Sequence, residues 1–166
     1  MRRKSLFLIF ISGGIIIFDQ ITKVIVAKRF ELYESVVVLE GFFSLTYILN
    51  PGAAFGFLAD QSATFRMIFF LSVSVVALVL LGTFFRDTPS EDTIGLTAIS
   101  LLFGGAIGNL IDRIRLGEVI DFLDFYINQH HWPAFNVADS AITIGISLLM
   151  FHLFLHKEDS KDKRTV

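Results

Sequence analysis

"MIFFLSVSVVALVLLGTFF", residues 67–85, is a segment without a single charged side chain. A helix needs about 20 mostly apolar residues to cross the hydrocarbon core of a bilayer. This segment meets that requirement, and it therefore predicts a transmembrane helix.

Three further segments, residues 6–27, 94–111 and 137–155, are also apolar enough to span a bilayer. The first follows a basic "MRRK", so a cleaved signal peptide is an alternative. Its apolar stretch is too long for a signal peptide and no A-x-A site follows, so we expect it to be retained. The sequence predicts an all-α membrane protein with four transmembrane helices in one domain, residues 1–166.

The composition agrees with a membrane protein and excludes several other classes. Hydrophobic residues make up 54% of the 166 residues and charged residues only 18%, whereas soluble domains have about 25% charged residues. The net charge of −2 gives no basic excess for a nucleic-acid partner. The absence of cysteine from the sequence excludes disulfides, thiolate metal sites and a cysteine nucleophile.

The basic residues predict the orientation of the four helices. Eight of the 14 lie in three regions, which are the N-terminus, the connection between the second and third spans, and the C-terminal tail. Alternation of four helices puts these regions on one side, and Lys and Arg favour the cytoplasmic side. We therefore expect cytoplasmic termini, with residues 28–65 and 112–136 as outer connections.

Both outer connections contain segments typical of β-strands. "SVVVLEGFFSLTYILN", residues 35–50, is rich in β-branched and aromatic residues around a turn at Gly41, and "GEVIDFLDFY", residues 117–126, opens with a glycine turn. "NPGAAFGF", residues 50–57, supplies further turn residues. The pattern predicts a small extracytoplasmic β-sheet that lies on the membrane surface.

Several ionisable residues lie inside or at the ends of the apolar spans. Asp19 and Lys23 are four residues apart, so they share a helix face and their side chains can meet. The alternatives for these two residues are a structural ion pair, a lysine that snorkels to the membrane surface, and part of a functional site. In "GNLIDR", Asn109, Asp112 and Arg113 also share a face. We expect Asp112 to be a membrane-boundary anchor beside Arg113, which is available to hold an anionic group.

The fourth span opens with a polar stripe that includes Asn136 and Asp139. Either residue can cap the free N–H groups at a helix start. One cap is sufficient, so the sequence favours a functional role for Asp139.

Most catalytic classes lack support in the sequence. His130 and His131 are not accompanied by a metal-ligand pattern, and no G-x-S-x-G motif is present. Asp121 and Asp139 remain as candidate catalytic residues, and they lie on different segments that we expect at the same membrane surface. Two close carboxylates share a proton, so one can activate water while the other polarises a carbonyl. Asp124 lies three residues beyond Asp121 and should face the other way on a strand.

These residues fit an aspartic protease that needs neither metal nor cofactor. A small ion or proton transporter is the alternative, but its charges should line a path across the whole bilayer, whereas here they cluster at one face. A membrane scaffold would leave the acids unexplained.

Four segments, "FDQITK", "NPGAAFGF", "GGAIGNLIDRIRLGEVIDFLDF" and "PAFNVADSAITIG", closely resemble the motifs of the lipoprotein signal peptidases (signal peptidase II) and occur in that family's order. The resemblance implies a four-helix aspartic endopeptidase of the bacterial inner membrane. Such an enzyme cleaves a prolipoprotein just before its diacylglyceryl-modified cysteine.

The resemblance also implies site residues and an inhibitor. The family's catalytic pair falls on Asp121 and Asp139 of this chain. The family's supporting polar residues fall on Asp19, Lys23, Asn50, Asn109, Arg113 and Asn136. The resemblance further implies a β-sheet cradle, a lipid environment around the substrate and inhibition by the cyclic peptide globomycin.

Overall fold

The computed structural model describes residues 2–52, 58 and 60–162, and its largest elements are helices. In chain order these are α1 (Arg2–Phe7), α2 (Gly13–Arg29), α3 (Ala63–Asp87), α4 (Thr93–Leu116) and α5 (Val137–Asp162). A π-helical turn, Leu8–Ser12, joins α1 to α2 without a break in the helix. This turn had no signal in the sequence.

Among the described residues, four helical segments are long and apolar enough to cross a membrane, which confirms that part of the predicted fold. They are Arg3–Arg29, Ala63–Asp87, Thr93–Leu116 and Val137–Phe154. Three of them begin earlier than the predicted spans, and in two of these a polar side chain caps the start of the helix. Ser62 accepts a hydrogen bond from the backbone N–H of Phe65, and Asp92 accepts one from Gly95.

The two connections that were expected to form strands pair into one antiparallel sheet. Its strands, in spatial order, are β1 (Ser35–Leu39), β2 (Phe43–Asn50), β3 (Val119–Ile127) and the short β4 (His130–His131). Gly41 makes the predicted turn between β1 and β2 with φ of 74°, a conformation that glycine adopts without a steric penalty. The predicted small sheet is therefore confirmed, whereas β4 was not predicted.

Helix α4 is central, because it packs against α2, α3 and α5. Gly104 faces Ile15 and Ser12 of the first transmembrane segment, and a Cβ there would lie 2.8 Å from the Cβ of Ile15. Gly108 contacts both Asp19 and Ala138. Gly104 and Gly108 are four residues apart on α4, and their lack of a side chain lets two other helices approach α4 closely.

The end of α4 and the start of β3 hold the sheet against the helices. Gly117 ends α4 in the left-handed conformation, with φ of 78°, and its N–H bonds to the carbonyl oxygen of Arg113. Beyond it, Ile120 and Phe122 are buried with Val26 of α2 in one apolar cluster. This packing fixes β3 between α2 and β2, and β3 carries Asp121.

One part of the sequence analysis falls outside the described residues. The predicted turn in "NPGAAFGF" covers residues 50–57, of which 53–57 are not described. The described part of this segment includes Asn50, which ends β2 and accepts a hydrogen bond from the backbone N–H of Gly52 at 3.0 Å.

Candidate active site

Asp121 on β3 and Asp139 in the first turn of α5 line the same cavity, which has a volume of about 730 Å³. Helix α5 and the segment before it form most of the remaining wall. The other lining residues are Asn50, Gly52, Phe70, Asn109, Arg113, Val119, Trp132, Pro133, Ala134, Phe135, Ser140, Thr143 and Ile144. The structure thus brings together the two acids that the sequence placed on different segments.

Asn136 bridges the two acids. Its side-chain N–H donates to Asp121 Oδ1 at 2.7 Å, while its side-chain oxygen accepts from the backbone N–H of Asp139 at 2.9 Å. The backbone N–H of Asn136 donates in turn to Asp139 Oδ2 at 3.3 Å. This is a reciprocal capping arrangement. The predicted cap is confirmed, and the expectation that one of the two residues would be free of capping is wrong.

Asp121 is almost fully buried, with 2% of its surface exposed. Burial raises the pKa of Asp121 to about 7, and the negative charge of Asp139 adds to that rise. Hydrogen bonds to the carboxylate oppose the shift, and one of them comes from Asn50, whose side-chain N–H donates to Oδ2 at 2.8 Å. Asp121 therefore exchanges a proton near neutral pH.

Lys23 lies behind the cavity in a fully buried ionic cluster. Its ammonium group contacts Asp19 Oδ2 at 2.9 Å and Asp112 Oδ2 at 2.8 Å, and it donates to Asn109 Oδ1 at 3.0 Å. These three acceptors match the three protons of the ammonium group. The predicted pairing of Asp19 with Lys23 is confirmed. With 1% of its surface exposed, Lys23 does not snorkel.

Asp112 differs from the prediction of a boundary anchor beside Arg113. It is 1% exposed and pairs with Lys23, and its Oδ2 also accepts from the backbone N–H of Ile120 at 3.2 Å. Adjacent residues on a helix point in different directions, so Asp112 turns toward α2 while Arg113 turns toward the cavity. Asp112 thereby ties α4 to the residue that precedes Asp121.

Asn109 connects the buried cluster to the cavity. Its side-chain oxygen accepts from Lys23, and its side-chain N–H donates to Asp139 Oδ1 at 2.7 Å. A cation on one side fixes the orientation of the amide, so the N–H group must face the carboxylate. Lys23 thus acts on Asp139 through one side chain.

Asp19 holds the start of α5 in place. Its Oδ1 accepts from the backbone N–H of Ala138 at 2.9 Å, across 119 positions of sequence. Together with the cap from Asn136, this bond satisfies two of the free N–H groups at the helix start. The position of Asp139 is therefore set from α2 as well as from its own helix.

Asp124 lies away from the catalytic candidates, as the strand alternation predicted. Its carboxylate contacts Nδ1 of His131 at 2.9 Å, and His131 stacks on the ring of Tyr126 with the centroids 4.8 Å apart. Asp124 is not among the residues that line the cavity.

Sequence reasoning missed several residues around the site. Gln20 donates to Asp112 Oδ1 at 3.0 Å and to the carbonyl oxygen of Gly108 at 3.2 Å, and so joins α2 to α4. Its position in an apolar helix beside Asp19 was an available signal. Phe70 and Trp132 also line the cavity, but nothing in their sequence context distinguishes them from other aromatic residues of the chain.

The sequence model of the family described as signal peptidase (SPase) II matches residues 11–155. The chain belongs to the signal peptidase II family. It is 54% identical to the lipoprotein signal peptidase of Geobacter sulfurreducens, over 82% of this chain and 84% of that protein. It is 47% identical to the lipoprotein signal peptidase of Syntrophus aciditrophicus, over 95% and 98% of the two chains.

A solved structure of a bacterial membrane enzyme has the same fold. It superimposes with a TM-score of 0.82 at 38% identity, covering 92% of this chain and 90% of the other. Membership of the signal peptidase II family makes the chain a multi-pass membrane peptidase of the aspartic type that acts on the signal peptides of prolipoproteins. The transporter and scaffold alternatives are therefore set aside.

Proposed function

We propose that Asp121 and Asp139 are the catalytic pair with which this signal peptidase II cleaves prolipoproteins. The observation that carries the proposal is the convergence of two carboxylates from β3 and α5 in one cavity, where Asn136 donates to Asp121 through its side chain and to Asp139 through its backbone N–H. Paired carboxylates that cannot both ionise are the catalytic groups of aspartic proteases.

The pair shares one proton, which we assign to Asp121. The pKa of Asp121 is about 7, so this carboxyl group keeps its proton below neutral pH. Both carboxylates accept two N–H groups, but Asp139 is partly exposed whereas Asp121 is buried, and contact with water favours the ionised form of Asp139. Asp139 is therefore the base of the pair and Asp121 the acid.

The reaction then proceeds in two proton-balanced steps. Asp139 takes a proton from a water molecule as the water oxygen attacks the scissile carbonyl carbon, while Asp121 gives its proton to the carbonyl oxygen. Asp139 next donates its new proton to the amide nitrogen, and the C–N bond breaks. Asp121 recovers a proton from a hydroxyl group of the intermediate, which restores the starting state.

The remaining predicted site residues support this pair. Asn50 and Asn136 each donate to Asp121 and so orient its carboxyl group. Lys23 and Asn109 fix the orientation of Asp139. Asp19 holds the N-terminus of α5, and Arg113 lines the cavity with donors available to the substrate backbone.

We further propose that residues 1–166 form one integral domain of the bacterial cytoplasmic membrane. Both termini are cytoplasmic, and the sheet and the cavity lie at the outer face. The distribution of Lys and Arg in the sequence supports this orientation. The substrate is a diacylglyceryl-modified prolipoprotein whose acyl chains stay among the membrane lipids, and cyclic peptides of the globomycin type compete for the cavity.

The proposed substrate is tested with purified protein and a synthetic prolipoprotein peptide that carries the diacylglyceryl-modified cysteine. Mass spectrometry should show a single cut directly before that cysteine, and the same peptide without the lipid should be cleaved far more slowly. Equal cleavage of both peptides, or a cut elsewhere, would contradict the proposed substrate.

A further inference from the structure

Arg113 has an unusual position among the charged residues of the cavity. Its guanidinium carbon lies 5.2 Å from the centroid of the Phe70 ring, over the face of the ring. The one hydrogen bond that its side chain makes within the described residues is long, 3.4 Å, to the carbonyl oxygen of Asn109 one turn earlier. Within that part of the chain it forms no salt bridge, although Asp121 and Asp139 line the same cavity.

The Phe70 ring contacts the Arg113 cation in a different geometry from that of a carboxylate. An arginine binds a carboxylate with the N–H groups at the edge of its plane, whereas it meets an aromatic ring with the face of that plane. With its guanidinium over the Phe70 ring and one long side-chain hydrogen bond, Arg113 has N–H groups available to another ligand. A salt bridge to Asp139 would occupy those donors and would also hold one acid of the pair away from water.

Phe70 is also the residue through which α3 reaches the site. Every residue of α3 is at least partly exposed, and the helix packs against α4. Phe70 is the α3 residue that lines the cavity, and its ring makes an edge contact with Phe69 at 5.2 Å between centroids. The contact between Phe70 and Arg113 thus couples a peripheral helix to the catalytic cavity.

We infer that Phe70 is a positioning residue, which holds the Arg113 guanidinium flat so that its free N–H groups face the peptide bond being cleaved. The inference rests on the proposed function of the cavity. Cation–π contacts are strong in poorly hydrated surroundings, where they contribute enough to change a rate about 5- to 30-fold. Phe70 itself need not touch the reacting atoms.

The test compares two substitutions of Phe70 in the full-length protein, with cleavage of the lipidated peptide as the readout. Phe70→Leu keeps an apolar side chain but removes the ring face, and we expect a loss of about 5- to 30-fold in kcat/KM. Phe70→Tyr keeps the ring and should stay within about 2-fold of wild type. Phe84→Leu, at a position on α3 that is 58% exposed, is the matched control and should be neutral.

A double-variant cycle separates positioning from general packing. In an Arg113→Gln background there is no cation for the ring to hold, so Phe70→Leu should slow cleavage no further. The inference is overturned if Phe70→Leu is as active as wild type, if Leu and Tyr are equally slow, or if Phe70→Leu slows the Arg113→Gln protein by the same factor as the wild type. Thermal unfolding of each variant shows whether it is folded.

Failure of this inference is distinguishable from failure of the proposed function. If Asp121→Asn and Asp139→Asn are inactive while Phe70→Leu is normal, the catalytic pair stands and Phe70 has no positioning role. If both Asn variants cleave the peptide normally, the assignment of the cavity is wrong whatever Phe70 does.

Discussion

At the scale of single residues, the site depends on polar side chains whose partners are distant in sequence. Spacing along one helix was enough to predict that Asp19 pairs with Lys23, and the structure confirms it. The third member of the cluster, Asp112, lies on another helix, and no local pattern encodes which helix faces touch. The same limit explains why Gln20 was missed.

Asp121 gives the first prediction at this scale, which concerns stability and pH. Its pKa is about 7 in the folded protein against an ordinary value of 3.8. Between these values the folded protein keeps a proton that the unfolded chain releases, so stability falls as pH rises, by roughly 1.4 kcal/mol for each unit of pKa shift. The contribution is fully present below about pH 4 and is lost through pH 7.

An asparagine at this position does not titrate, so the Asp121→Asn protein should not lose this part of its stability as the pH rises. The melting temperature of the wild type should therefore fall relative to Asp121→Asn between about pH 4 and pH 7. Asp87→Asn is the control, since that side chain is 69% exposed and its melting curve should follow the wild type. Parallel pH profiles for wild type and Asp121→Asn would contradict the raised pKa.

At the scale of elements, strand composition and glycine turns were sufficient to predict the sheet. β-Branched runs on both sides of Gly41 and a glycine before "EVIDFLDFY" marked β1, β2 and β3. The two-residue β4 was missed, because its pairing depends on the turn at Asn128, a non-glycine residue with φ of 56°. The π-helical turn Leu8–Ser12 was missed because apolar residues alone do not distinguish it from α-helix.

The contact between α4 and α5 gives a prediction at this scale. A Cβ on Gly105 would overlap the carbonyl oxygen of Ala138 and would lie 2.6 Å from Cγ1 of Ile142. Ala138 precedes Asp139, so Gly105→Ala should push α5 away, lower stability by about 1–3 kcal/mol and reduce cleavage. Thermal unfolding and the peptide assay measure both effects.

Gly82 on α3 is the matched control for Gly105. No atom lies within 4 Å of a Cβ at that position, and alanine is the better helix former. Gly82→Ala should therefore unfold at or slightly above the wild-type temperature. If Gly105→Ala also unfolds at the wild-type temperature and keeps full activity, the close contact does not control the site.

At the scale of the whole molecule, hydropathy was sufficient to predict four apolar helices. It did not identify α4 as the central helix, because a segment that faces lipid and one that faces other helices are equally apolar. The orientation across the membrane stays a prediction from the basic residues. It has a direct test because the sequence contains no cysteine.

Single cysteines introduced at Gln61 and Ser160 report the two sides. Gln61 precedes the Ser62 cap of α3, so the cap is kept, and Ser160 lies near the C-terminal end of α5. An impermeant thiol reagent applied to intact cells should label position 61 and leave position 160 unlabelled until the cells are opened. The reverse labelling pattern would show that the protein has the opposite orientation, with the cavity on the cytoplasmic side.

The most direct test of the catalytic pair is cleavage of the lipidated peptide by four variants, measured by mass. Asn matches Asp in shape but cannot cycle a proton, so Asp121→Asn and Asp139→Asn should each lose nearly all activity. Their double variant should be little worse, because residues that act as a unit are not additive. Asp124→Asn, on the same strand but paired with His131, should keep substantial activity. Normal cleavage by Asp121→Asn or Asp139→Asn, with loss in Asp124→Asn, would contradict the assignment.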